Sequence, residues 1–243
     1  MSDEQPVIVK THSGWAEIVL NRPERRNSLI APLASAITDA LTRLAADPEI
    51  AAVILRGAEG YFCAGVDLKA LQADPPPPWR DTQGAEFRRM HLAFYHFPKP
   101  IIGAFEGFGI NAGAALALAC DVLVAGTSAF LQIGELQQGS PIPMNAAWLR
   151  IKTTELVAAR LAFYADRIKG DELVRLGLAA ESVPDDQVLA RCRELAERIA
   201  GFPAGASVTI KQNLIDQRHI EDPETFFVMR QSNALLTAAQ VRS

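Results

Sequence analysis

Apolar positions recur along the chain at two spacings, and the switch between them predicts the elements. Val7 to Lys10 and Trp15 to Leu20 are short strand-like runs separated by Thr11-His12-Ser13-Gly14, a hairpin signal. Pro32 fits the first turn of a helix running to about Ala46, with Leu33, Ile37, Leu41 and Leu44 on one face. Ala52 to Arg56 reads as a buried strand. Asp74 to Trp79, with four consecutive prolines, predicts an irregular mobile loop bordering the site, followed by a helix from Glu86 to Phe97. Pro100 to Phe105 reads as a buried strand, Ala112 to Cys120 as a small-residue helix, and Val122 to Ala125 and Ala129 to Ile133 as short strands. From Ala146 helices dominate: Thr153 to Tyr164, Gly170 to Leu176, Asp186 to Ala200, Ala204 to Arg218 and Pro223 to Ala239. The pattern predicts an α/β core over residues 1–200 and a helical C-terminal region over 201–243.

Composition narrows the function classes. The net charge is 24 − 28 = −4 over 243 residues, and no Lys/Arg run gives an electrostatic footprint for nucleic acid. The three cysteines, Cys63, Cys120 and Cys192, are odd in number and far apart, which argues against a disulfide framework and for a reducing compartment. No His/Cys pattern suggests a metal site. The apolar stretch Ile101 to Cys120 is interrupted by Glu106, Asn111 and glycines, so it predicts no membrane span. The acidic start, Met1-Ser2-Asp3-Glu4, leads into no signal-like run, and a cytoplasmic protein is expected.

Four segments carry candidate chemistry. Asn21-Arg22-Pro23-Glu24-Arg25-Arg26-Asn27-Ser28-Leu29 leaves a strand and enters a helix; it is either a ligand contact or a polar connector with a capping residue. Gly57 to Leu68 is a loop of small residues whose backbone N–H groups can approach a ligand closely, with Asp67 able to cap a short helix. Within it Cys63 lacks an evident base among His12, His91, His96 and His219, so a packed thiol is expected. Gly103 to Asp121 turns through glycines into a helix of little bulk, whose N-terminus suits developing negative charge. Glu106 and Asp121 there are expected to be structural. Last, Glu135 lies between Ile133 and Leu136, where partial desolvation would raise it toward a useful base.

Taken together, in this order and spacing, the segments resemble the crotonase superfamily of enoyl-CoA hydratases and isomerases, from about Trp15 to about Arg218. The matching pieces are Asn21 to Leu29, Phe62-Cys63-Ala64-Gly65-Val66-Asp67-Leu68, Glu106-Gly107 to Asn111-Ala112-Gly113 with Ala119-Cys120-Asp121, and Lys169-Gly170-Asp171-Glu172 to Val183-Pro184. The resemblance implies a spiral of strand-strand-helix units with C-terminal helices, trimers or hexamers, and a coenzyme A thioester as substrate with no further cofactor. It places oxyanion donors at the N–H groups of Ala64 and Ala112, the latter where the family usually has glycine. It places coenzyme A along Asn27, Ser28, Leu29, Ala64, Val66, Asp67, Leu68 and Gly113, with Arg25 and Arg26 facing its phosphates. The chain ends at Ser243 without the tail helix many relatives carry, which would leave the pocket more open or the assembly weaker.

The sequence departs from the hydratase pattern at one of two glutamates. The position one turn into the second loop's helix is Ala115. The other falls on Glu135, one residue later than the usual distance from Phe130, so an insertion or bulge is expected there. Adding water needs groups to orient it, deprotonate it and protonate carbon, whereas shifting a double bond needs one base that removes a proton and returns it. An enoyl-CoA isomerase is therefore expected, with hydration, thioester hydrolysis, decarboxylation or silent acyl-CoA binding as alternatives.

Overall fold

The computed structural model describes residues 5–228. An antiparallel hairpin opens the chain, β1 (Val7–Thr11) on β2 (Trp15–Leu20), with Val7 opposite Leu20. Then come α1 (Ala31–Ala46), β3 (Ala52–Gly57), α2 (Leu68–Leu71), α3 (Gln83–His96), β4 (Ile101–Phe105), β5 (Phe108–Ile110) and α4 (Ala112–Ala119). They are followed by β6 (Val122–Gly126), β7 (Phe130–Gln132), α5 (Pro143–Lys152), α6 (Glu155–Tyr164), β8 (Ile168–Lys169), α7 (Gly170–Arg175) and β9 (Glu181–Val183). The described part closes with α8 (Val188–Ala200), α9 (Ala206–Asp216) and α10 (Pro223–Phe226). Of the helix expected from Pro223 to Ala239, the described residues show α10, and residues 229–239 lie outside them.

The strands form a six-stranded sheet, ordered β1-β2-β3-β4-β6-β9, and a three-stranded sheet, β5-β7-β8. All neighbours in the large sheet after β1 run parallel. Parallel strands must be covered on both faces, and β3 shows why the sequence reads as a continuous apolar run. Val53 and Leu55 face a core closed by α1, α3, α4 and α5, while Ala52 and Ile54 face a second core under α8, built with Val188, Cys192 and Ala196. The chain repeatedly passes from a large-sheet strand to the small sheet and then into a helix, as in β4-β5-α4 and β6-β7-α5. Isolated parallel bridges, Leu29 to Val66 and Cys63 to Gly109, continue the small sheet into the earlier turns. This is the expected spiral of strand-strand-helix units.

Three local differences follow from physical causes. The helix expected from Thr153 starts at Glu155, because the Thr154 side chain caps it by accepting the Val157 N–H. A separate helix, α5, precedes it, with a proline in its first turn. β5 has only three residues in a glycine-rich stretch, too short for a periodic signal. The 200/201 boundary falls at the end of α8, and α9 docks back on the core: Lys211 Nζ donates to the Lys99 carbonyl (2.8 Å) and to Asp121 (2.7 Å). Asp121 also accepts the Ile101 N–H at 2.8 Å, the structural role expected of it.

Candidate active site

The two small-residue loops are stitched to each other by backbone. Phe62 N–H donates to Glu106 O (2.9 Å), Cys63 N–H to Phe108 O (3.0 Å) and Ile110 N–H to Cys63 O (3.1 Å). Glycine permits the approach. A Cβ on Gly113 would stand 2.3 Å from the Cys63 carbonyl oxygen, and Gly65, at φ +89°, would place one 2.7 Å from Ile110 O. The distance between the loop before α2 and the N-terminus of α4 is therefore set by main chain.

The segment from Asn21 to Leu29 clamps the first loop from the other side. Leu29 N–H donates to Gly65 O (2.7 Å), and Asp67 N–H donates to Leu29 O (3.0 Å). Buried Asn27 donates to the carbonyls of Ala58 (3.0 Å) and Tyr61 (2.6 Å). Asp67 is buried, caps α2 and pairs with Arg22 (3.0 Å) and Arg25 (2.6 Å). These cations and the Ala70 N–H hold its carboxyl below the usual range against the effect of burial. Of the expected substrate contacts, Asn27, Ser28, Leu29 and Asp67 are buried, Gly113 is buried against the Cys63 carbonyl, and Arg25 pairs with Asp67. Arg26 is exposed, 6.0 Å from the centre of the Tyr61 ring.

Bridge geometry also selects the donors. In a parallel bridge, Leu29 bonds to the residues on either side of Val66, so the groups of Val66 itself point the other way. Its N–H has no acceptor among the described residues, and neither do those of Ala112 and Gly113 in the first turn of α4. The Ala64 N–H, by contrast, donates to Arg26 O at 3.0 Å. The donor expected at Ala64 is thus occupied, and the loop offers Val66 in its place.

Val66 and Ala112 line one wall of a cavity of about 300 Å³, together with Ala64, Leu68, Phe87 and Ala115. Glu135 stands among its lining residues, at the start of a short 3-10 turn after β7. β7 reaches this turn in regular register, Phe108 beside Phe130 and Ile110 beside Gln132, with Leu131 turned into the core. The expected bulge is absent from β7. Glu135 Oε1 accepts Asn145 Nδ2 at 3.0 Å, while Oε2 is buried without a partner among the described residues. Burial pushes this carboxyl up, opposed only by its own backbone N–H and by Asn145. Among the described residues no other lining residue is ionisable. The proline stretch Asp74 to Trp79 contributes nothing to the cavity; Phe87 of α3 does.

Other candidates resolve as packing. Burial pushes the Cys63 thiol up to about 12, far from a nucleophile's range. His91 is buried and accepts the Trp148 Nε1–H at 2.9 Å, so it is no partner for that thiol. Residues 10–239 match the enoyl-CoA hydratase/isomerase family. The chain belongs to that family. Crotonases use coenzyme A thioesters, generally without a cofactor.

Individual crotonases bear this out at moderate identity. The chain is 32% identical over 213 residues to enoyl-CoA hydratase EchA19 of Mycobacterium tuberculosis, covering 86% of this chain and 80% of that one. It is 31% identical over 199 residues to (E)-benzylidenesuccinyl-CoA hydratase of Thauera aromatica, covering 80% and 76%. A monofunctional enoyl-CoA isomerase of Mycobacterium smegmatis superposes with a TM-score of 0.75 at 26% identity, over 93% of this chain and all of that one. Among the described residues no helix is long and apolar enough to cross a membrane.

Sequence reasoning missed Asn145, and it named Val66 as a coenzyme A contact but not as a backbone donor. Asn145 left a signal: it shares a helical face with Trp148 and Leu149, a polar residue on an otherwise apolar stripe. Val66 left none, because a backbone N–H acquires direction only from its pairing.

Proposed function

We propose that this crotonase is an enoyl-CoA isomerase that moves a double bond from the 3,4 to the 2,3 position of a thioester. The thioester oxygen sits between the N–H groups of Val66 and Ala112. Each such preorganised donor typically contributes about 10²–10³ in rate once negative charge develops. Glu135 removes a proton from C2, and the electron pair of that C–H bond passes into a dienolate with its charge on the held oxygen. The protonated Glu135 then returns the proton to C4, leaving a conjugated thioester and a carboxylate ready for another cycle. The exposed Arg26 is the member of the arginine pair left to meet coenzyme A phosphates.

The observation that carries this reading is that, among the described residues, Glu135 is the only ionisable side chain lining the cavity, with Ala115 of α4 also in the lining. One carboxylate suffices to shuttle a proton. Hydration would need a second group to orient water while the first handles protons. The test is a panel of 3-enoyl, 2-enoyl and saturated acyl-CoA thioesters followed by ultraviolet absorbance and mass spectrometry. The reading expects growing absorbance of the conjugated thioester at unchanged mass. A gain of one water from the 2-enoyl substrate, without turnover of the 3-enoyl one, would replace it with hydration.

Assembly into trimers or hexamers belongs to the same reading. Leu156, Phe163 and Tyr164 of α6 expose large apolar surface, which suits a subunit contact. Light scattering at micromolar concentration should give a multiple of three chains, and a monomer would contradict it.

A further inference from the structure

Asn145 lies in the first turn of α5 and is only 2% exposed. Its Nδ2 donates to two acceptors, Glu135 Oε1 and the carbonyl oxygen of Asn111, each at 3.0 Å. That carbonyl also accepts the N–H groups of Ala114 and Ala115, so it belongs to the first turn of α4. One amide group therefore spans the turn that carries the carboxylate and the helix end that offers the oxyanion donor. Asn145 Oδ1 is buried with no partner among the described residues. The residue thus retains an unmet polar group in an apolar wall, a cost that packing alone does not explain.

We infer that Asn145 is a positioning residue: it holds the Glu135 carboxylate at a set place relative to the N-terminus of α4, and so aligns base and oxyanion donor. The inference rests on the isomerase reading for its consequence in turnover, but not for its geometry. Among the described residues no other charged side chain lines the cavity. The surrounding elements contribute to the cavity lining Leu68 of α2, Phe87 of α3, Ile110 of β5, Ala112 and Ala115 of α4, and Met144 of α5, none of them charged. A donated N–H favours the charged carboxylate, and burial favours the neutral acid. Among the described residues Asn145 is the only side chain opposing that burial. Its loss should therefore move the ionisation of Glu135 to higher pH as well as loosen its placement.

The experiment compares Asn145→Ser, which no longer reaches Glu135, with Asn145→Asp, which replaces the donor by an acceptor. Turnover of a 3-enoyl-CoA thioester is measured against pH, and the Glu135 carboxyl is titrated by carbon-13 NMR, with Glu135→Gln to assign its resonance. Misplacement of a base typically costs about 10- to 100-fold, which should appear in kcat with KM nearly unchanged. The acid limb and the NMR midpoint should both move up, by about one pH unit in Asn145→Asp, where a like charge is added. Parent-like kcat and midpoint in a folded variant would overturn the proposal. Collapse of both variants would also overturn it, by assigning Asn145 to the fold. A shifted NMR midpoint in a protein whose parent turns over no 3-enoyl-CoA would uphold the positioning role and reject the isomerase reading.

Discussion

The side-chain oxygen of Asn111 accepts the backbone N–H of Gly134 at 2.8 Å. Asn111 precedes Ala112, the proposed donor, and Gly134 precedes Glu135, the proposed base, so this bond joins the two halves of the proposed site one residue from each. Asn111 pays for it with an unusual backbone, φ 54° and ψ −113°.

That bond predicts an order of stabilities. Asn111→Ala keeps the strained backbone and removes the acceptor, leaving the Gly134 N–H unmet at a cost of about 1–3 kcal/mol. Asn111→Gly also loses the bond but relieves the backbone, so it should be the more stable variant in urea unfolding. Both should lower kcat more than they raise KM. Equal stability of the two variants would show that the backbone at Asn111 is not strained.

Acid stability should fall in two separable windows. Burial pushes His91 down to about 3, so it stays neutral in the fold while the unfolded chain takes up a proton near 6.5. The contribution is whole above 6.5 and is lost as pH falls toward 3, by up to about 1.4 kcal/mol per pH unit. Asp67 is held low by Arg22 and Arg25, so its contribution is present above about 4 and is lost only below that. Unfolding free energies should therefore slope downward from pH 6.5 to 4, and His91→Gln should flatten that slope. Asp67→Asn should instead destabilise at neutral pH, by about 1.5–3 kcal/mol, as for loss of charge-assisted hydrogen bonds to two partly exposed arginines. An unchanged slope in His91→Gln would assign the pH dependence to other groups.

Ala115 is fully buried at the cavity wall, one turn into α4. Ala115→Glu should add measurable hydration of a 2-enoyl-CoA thioester, because a second carboxylate then faces the substrate. Overpacking should cost about 1–3 kcal/mol. A variant that folds and binds acyl-CoA yet adds no water would show that hydration is limited by something other than the missing carboxylate.

Much of this was legible in the sequence where a side chain carries its own signal. The face Leu33, Ile37, Leu41 and Leu44 placed α1 on the core, and an ionisable residue between Ile133 and Leu136 marked Glu135. What was not legible depends on pairing at a distance. Arg25 reads as a free cation until the fold brings it to Asp67, 42 residues on. Ala64 and Val66 are indistinguishable as donors until the bridge to Leu29 turns one N–H inward to Arg26 O and leaves the other without an acceptor. The spacing from Phe130 suggests an insertion or bulge before Glu135, and β7 itself pairs in regular register, a feature that depends on its partner strand β5.

The central claim is that Glu135 alone moves the proton, and the Glu135→Gln variant tests it most directly. Glutamine keeps the size and polarity but cannot accept the proton. General base catalysis typically contributes about 10²–10⁴, so kcat on a 3-enoyl-CoA thioester should fall by about 10² or more. Acyl-CoA affinity, set by the cavity and the backbone donors, should stay nearly unchanged. Full isomerase turnover in Glu135→Gln would contradict the account.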